Sequence, residues 1–331
     1  MGTKKIKRGR RNKGKDGPSR SRQATTRQGR RVIKERYLLQ KELGKGGMGK
    51  TFLAQDTHFG DQCVVKIVTG DSQLIQREAR RLCYLKHEGI PAYRDFILES
   101  SQNREDEAFL VQEYIRGKTL KQFAKDQGGR LPLTRALSVL RQALEVLEYL
   151  HNRKEPDTQE KAPVLHLDIK PENMILRESD MHLFLIDFGL SAQAHISLFI
   201  QQGLTPSIQG YSPGYSPYEQ TQGRVVPASD IYALGMTMLV LLTGKDVREV
   251  RMLLDQNKLF QDPKVNKQIP TKVARLLQRM VTLRVEDRIQ TAHEALRQMR
   301  KLRLATSWTR RLLIWGLPLI TTLAGLYFWL R

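Results

Sequence analysis

The chain has 331 residues, 40% of them apolar and 7% aromatic, with a formal charge of +22 and two cysteines. That length and apolar content support one large or two moderate packed domains and exclude disorder throughout. Cys63 and Cys83 lie in apolar surroundings with no CxxC spacing or histidine partner, which excludes a disulfide scaffold, argues against a metal site and predicts buried thiols in a reducing compartment.

The charge is uneven. Residues 1–36 carry fifteen Lys/Arg against Asp16 and Glu35, residues 301–331 carry five and no acid, and residues 37–300 are left close to neutral. Residues 1–36 also lack apolar periodicity and read as a solvated, disordered basic arm. The arm suits an anionic membrane surface, at ~1 kcal/mol per basic residue. Nucleic acid is the weaker reading, because no base-reading motif or interleaved aromatic accompanies the charge. The N-terminus never becomes apolar, so no secretory leader is expected.

Tyr37 to Leu43 reads as a strand, followed by GKGGMGKT at 44–51. That run fits both a Walker A loop, G-x-x-x-x-G-K-T, and a glycine-rich lid, G-x-G-x-x-G. A Walker A loop must open a helix whose N-terminal amides face the phosphates. Here Thr51 to Ala54 continues as a strand, the turn cluster 56–61 follows, and Cys63 to Val68 is a further strand. Gln73 to Lys86 carries a helical stripe, and Tyr93 to Glu99 and Ala108 to Tyr114 alternate as strands.

After Gly117 the pattern turns helical. Leu133, Leu137, Leu140, Leu144 and Leu147 mark a long amphipathic helix, and helical patterns recur at 230–242, 272–282 and 291–304. A small β-rich lobe (37–116) followed by a larger helical one (117–300) is an α+β pair with a hinge between. Residues 301–311 form a basic linker. Leu312 to Leu330 then runs 19 residues without a charge. At ~1.5 Å per residue it reaches ~28 Å, close to the hydrocarbon thickness of a bilayer, so a transmembrane helix is expected. Arg300, Lys301, Arg303, Arg310 and Arg311 precede it and Arg331 follows, which predicts a single-pass membrane protein with the large N-terminal part cytoplasmic.

The chemistry concentrates at HLDIKPEN, 166–173, and at Asp187-Phe188-Gly189. Phosphoryl transfer to a hydroxyl needs a carboxylate near the nucleophile, a cation near the moving phosphate and oxygen ligands for magnesium, and these segments supply all three. His166 reads as a structural core histidine, and Lys50, on the Walker lysine position, as a solvated strand residue.

This succession resembles the protein kinase family, and specifically the bacterial eukaryotic-like Ser/Thr kinases, over about residues 37–300. The resemblance implies a bilobal protein-kinase fold, ATP and Mg2+ as cofactors, and phosphorylation of protein Ser/Thr hydroxyls in signalling. It implies that Gly44, Gly46 and Gly49 form the lid, that Lys66 holds the α- and β-phosphates while Glu78 fixes its ammonium, and that Glu113 and Ile115 line the ATP site at the hinge. By the same resemblance Asp168 accepts or orients the substrate hydroxyl, Lys170 neutralises the transferring phosphoryl group, and Asn173 and Asp187 ligate magnesium. Ser212 in YSPGY positions substrate, while Glu219, Asp230 and Arg288 are structural, Arg288 pairing with Glu219.

The chain departs from the family pattern in two places. Only 12 residues separate Lys66 from Glu78, which implies a clipped connection before the helix. Leu167 replaces the arginine that in the family binds an activation-loop phosphate, which implies activity without loop phosphorylation. Residues 152–163 read as a charged surface excursion. A nucleotide-binding pseudokinase scaffold and a P-loop ATPase built on Lys50 and Asp187 are the competing readings. An oligomer is compatible with the sequence.

Overall fold

The structure, a computed structural model, describes residues 31–46, 49–69, 83–99, 107–154, 159–187 and 212–302. The arm before residue 31, Glu78 with its helical stripe up to residue 82, Phe188 and Gly189, and the apolar segment 312–330 lie outside the described residues.

The first lobe is a six-stranded antiparallel sheet in the order β1-β2-β3-β4-β6-β5, built from β1 (Val32–Ile33), β2 (Tyr37–Gly46), β3 (Gly49–Asp56), β4 (Gln62–Thr69), β5 (Tyr93–Glu99) and β6 (Glu107–Glu113). Strand alternation places its residues. Cys63, Val65 and Ile67 of β4 are buried with Ala54, Ile97, Phe109 and Val111, whereas Val64 and Lys66 stand on the other face of the sheet. GKGGMGKT therefore spans two paired strands, Gly46 facing Gly49, and β3 stands where a Walker A loop requires a helix. Lys50 is half exposed and lies 3.8 Å from Glu42 across the hairpin, as a solvated strand residue should.

The described lobe starts before Tyr37, and residues 31–36, expected in the disordered arm, pack on it. Ile33 is buried, Arg36 makes a paired contact with the buried Asp56 at 2.9 and 2.7 Å, and Arg31 reaches Glu107 and lies over the Phe109 ring at 5.1 Å. These cations read as tail in the sequence because their acids come 20 and 76 residues later.

The second lobe is helical, with a three-stranded sheet, β7 (Gly117–Thr119), β8 (Met174–Arg177) and β9 (Leu183–Leu185), on the side of the first. Its helices are α1 (Leu120–Asp126), α2 (Leu133–His151), α3 (Tyr218–Thr221), α4 (Pro227–Thr243), α5 (Val247–Asp255), α6 (Pro263–Gln268), α7 (Thr271–Met280) and α8 (292–302). α4 is apolar nearly all round and is the central helix; Pro227 opens it, and Gly244, at φ 70°, closes it. α2 and α7 pack on it through stripes that include Leu140, Leu144 and Leu147, and Leu276, Leu277 and Met280. Each such side chain fully buried is worth ~1.5–3 kcal/mol. The excursion at 152–163 is closed by an antiparallel bridge between Lys154 and Lys161. Among the described residues no single helix is long and apolar enough to cross a membrane.

Candidate active site

The loop bearing HLDIKPEN is held from beneath by the first turn of α4. The buried Asp230 carboxylate accepts the main-chain N–H of His166 at 2.9 Å and of Leu167 at 2.8 Å, and lies 2.9 Å from His151 Nε2 at the end of α2. Burial alone would raise its pKa; the His151 contact and the other donors outweigh it and hold the group below the usual carboxylate range. Leu167 sits at φ 62°, a left-handed conformation that costs a non-glycine residue ~1–2 kcal/mol. It is held there from both sides, because Gln220 Nε2 donates to Leu167 O at 2.7 Å. Thr237 of α4 donates to Ile169 O at 3.3 Å.

His166 is fully buried, and burial pushes its pKa down. Its Nδ1 accepts the Asp168 N–H at 3.3 Å, so Nε2 carries the proton and donates to Ile186 O at 3.1 Å. It ties the catalytic loop to the segment leading to Asp187, which is a structural role. Leu167 packs against Leu165 and Val225, so an apolar contact occupies the position of the missing arginine.

Above this floor four side chains converge. Lys170 Nζ lies 3.0 and 2.8 Å from the two Asp168 oxygens, and Ser212 Oγ donates to Asp168 Oδ1 at 2.6 Å while accepting from Lys170 at 2.9 Å. Asn173 Nδ2 donates to Asp168 Oδ2 at 2.7 Å and to its main-chain oxygen at 2.8 Å. Asp168 remains about a quarter exposed, so a fixed carboxylate that already accepts a hydroxyl faces solvent. Replacing Ser212 by Ala should lower kcat by ~10- to 100-fold, the equivalent of a charge-assisted hydrogen bond of ~1.5–3 kcal/mol, with KM for ATP unchanged. Ser212→Thr should retain activity; equal activity of the Ala variant in steady-state assays would remove Ser212 from the machinery.

The residues expected at a nucleotide are carried by β2, β3, β4 and the segment after β9. Lys66 Nζ pairs with Asp187 Oδ1 at 3.5 Å across the two lobes. Ile186 N–H donates to Asn173 O at 3.0 Å, which sets Asp187 beside Asn173. The Asn173 amide nitrogen is committed to Asp168, so its oxygen is the atom left for a hard cation. Among the described residues no group of three or more His, Cys, Asp or Glu forms a metal cage. One amide oxygen and one carboxylate instead suit magnesium that takes its other ligands from phosphates and water.

Of the lid glycines, a Cβ on Gly49 would fall 1.8 Å from Ile67 O, so close strand approach demands glycine there. A Cβ on Gly44 would meet nothing within 4 Å, which leaves the space open for phosphates. At the hinge Glu113 is clamped to Ala92, its N–H donating to Ala92 O at 2.8 Å and its carboxylate accepting the Ala92 N–H at 3.1 Å. Ile115 is buried next to it.

Arg288 and Glu219 meet as expected, at 2.6 and 3.3 Å, and both are buried. Of the residues expected at the site, all but Glu78 fall within the described residues. The sequence reading missed Gln220, Thr237 and His151 as supports of the loop. Gln220 directly follows Glu219, and His151 closes the Leu-striped helix, but nothing local shows what either touches.

Residues 37–299 match the protein kinase domain family, and the chain belongs to it. Over 230 residues it is 37% identical to serine/threonine-protein kinase C of Synechocystis, covering 65% of this chain and 40% of that one. Over 280 residues it is 33% identical to serine/threonine-protein kinase PknA of Nostoc, covering 80% and 47%. The chain thus spans less than half the length of these two relatives. The fold is that of the Mycobacterium tuberculosis PknI kinase domain, with a TM-score of 0.57 and 22% identity over 82% of this chain and 97% of the other.

Proposed function

We propose that the chain is a membrane-anchored, ATP-dependent Ser/Thr protein kinase. The carrying observation is the convergence of Lys170, Asn173 and Ser212 on the partly exposed Asp168 carboxylate, with Asp187 of the Lys66–Asp187 pair set beside Asn173. Asp168 orients a substrate hydroxyl and accepts its proton as the oxygen attacks. Lys170, bridging Asp168 and Ser212, carries positive charge to the position where charge spreads over the phosphoryl group. Lys66 holds the phosphates, and the oxygens of Asn173 and Asp187 hold the metal. Bound Mg·ATP supplies the phosphoryl group and the Lewis-acid charge. Incubation with radiolabelled ATP, magnesium and a generic protein substrate tests the reading, since phosphoserine and phosphothreonine should form; nucleotide binding without transfer would leave the pseudokinase scaffold.

Membrane anchoring is supported by the uncharged run 312–330 and the cations preceding it, which also favour a cytoplasmic kinase domain. Resistance of the chain to alkaline carbonate extraction from membranes tests it.

The apolar packing of Leu167 supports a catalytic loop ordered by Asp230 and Gln220 without a phosphate. Replacing Ser191, Ser197, Thr205 and Ser207 together by Ala should therefore leave kcat/KM within about threefold of the parent, well below the ~10-fold that loss of a 1.4 kcal/mol clamp would bring. Abolished activity with intact folding would overturn it.

A further inference from the structure

The kinase domain is electrically divided. Residues 37–257 carry 26 Lys/Arg and 28 Asp/Glu, whereas residues 258–302 carry eleven against four. The excess is concentrated on the outer faces of two helices. α7 turns Val273, Leu276, Leu277 and Met280 into the core and exposes Lys272 and Arg275; α8 buries Ala292, Ala295, Leu296 and Met299 and exposes Arg297, Arg300 and Lys301. The pair Arg279–Glu294, at 2.9 Å, lays one helix beside the other and makes the two faces neighbours.

A solvated surface helix usually balances its charges at i, i+4, as other helices here do. Arg141 pairs with Glu145 on α2, and Arg251 with Asp255 on α5. On α7 and α8 like charges stand three or four apart instead, Lys272 with Arg275, Arg275 with Arg279 and Arg297 with Lys301, an arrangement that disfavours the helix until a polyanion neutralises it. Glu294 is taken by Arg279, and Asp262 is occupied capping α6.

We propose that this face lies against an anionic phospholipid surface and orients the kinase domain on the membrane. The inference rests on residues 312–330 being a span, because α8 runs to residue 302 and only the basic linker separates it from that segment. Every later residue before the apolar run is neutral or basic, so the attraction increases toward the bilayer. The remainder of the domain is close to neutral and offers no comparable attraction, so this face sets the direction of the orientation within the domain.

The test is lysine acylation of the full chain, read residue by residue by mass spectrometry, with vesicles of phosphatidylcholine alone or mixed with anionic phosphatidylglycerol. Lys272 and Lys301 should acylate more slowly by roughly threefold or more with the anionic vesicles, and high salt should reverse the protection. The exposed Lys41 and Lys50 of the first lobe should be unchanged. Equal labelling of Lys272 and Lys301 in both vesicles, or protection of all four lysines alike, overturns the proposal. Protection by duplex DNA without protection by vesicles also overturns it and points to nucleic acid. Carbonate extraction of the same samples scores the span separately, so a chain that inserts yet shows no protection retains its anchor and loses only this orientation.

Discussion

Asp168→Asn is expected to lower phosphoryl transfer by ~10²–10⁴-fold, the range in which a positioned general base contributes. The substitution keeps the shape of the side chain but replaces one of the two oxygens that between them accept from Ser212, Lys170 and Asn173, so the loss falls on kcat while the apparent affinity for ATP changes little. Lys66→Ala should bring a comparable loss, carried partly by KM for ATP, because its ammonium pairs with Asp187 across the cleft and would hold the phosphates. Lys50→Ala should be silent, since Lys50 is half exposed beside Glu42 on a strand. Steady-state kinetics on the three variants separates the readings: an inactive Lys50→Ala beside an active Asp168→Asn would restore the Walker interpretation of GKGGMGKT.

The parts of this site that local pattern could reveal were those fixed by period or by contiguity. Alternation along β4 was enough to set Lys66 on the face opposite Cys63, Val65 and Ile67, and the continuation of GKGGMGKT into a strand counted against a P-loop. Asp168, Lys170 and Asn173 lie within six residues, so their shared chemistry could be read without knowing the fold. What supports them is non-local. Gln220 reaches Leu167 across 53 residues, Thr237 reaches Ile169 across 68, and His151 reaches Asp230 across 79. Each is an ordinary polar residue by its neighbours and becomes a loop support only after α2 and α4 pack. The packing of residues 31–36 was hidden for the same reason: Arg31 and Arg36 look like tail until Glu107 and Asp56 arrive from other strands.

Arg288→Ala should produce the largest loss of stability, ~3–5 kcal/mol, because it removes one partner of a buried ion pair and strands the other. The arginine side chain is fully buried and Glu219 nearly so. Besides Glu219, the guanidinium donates to Ala228 O at 3.0 Å, Thr282 O at 2.9 Å and Leu283 O at 3.1 Å, and it lies over the Tyr232 ring at 4.9 Å. Four acceptors and one aromatic face thus depend on one side chain that ties the segment after α7 to α3 and the start of α4. Ser229 Oγ also donates to Glu219 at 3.0 Å, which softens the loss but cannot neutralise the carboxylate. Arg288→Lys should be nearly as harmful, since an ammonium cannot serve acceptors in several directions at the guanidinium's reach. At ~2–4 °C per kcal/mol for a domain of this size, thermal unfolding should fall by roughly 10 °C. The double variant Glu219→Leu, Arg288→Met should lose less than Arg288→Ala, because no buried charge is left unpaired. A single Arg288→Ala change within about 1 kcal/mol of the parent, well under that cost, would mean that water reaches the pair and that the junction of α3, α4 and α7 is held by apolar packing instead.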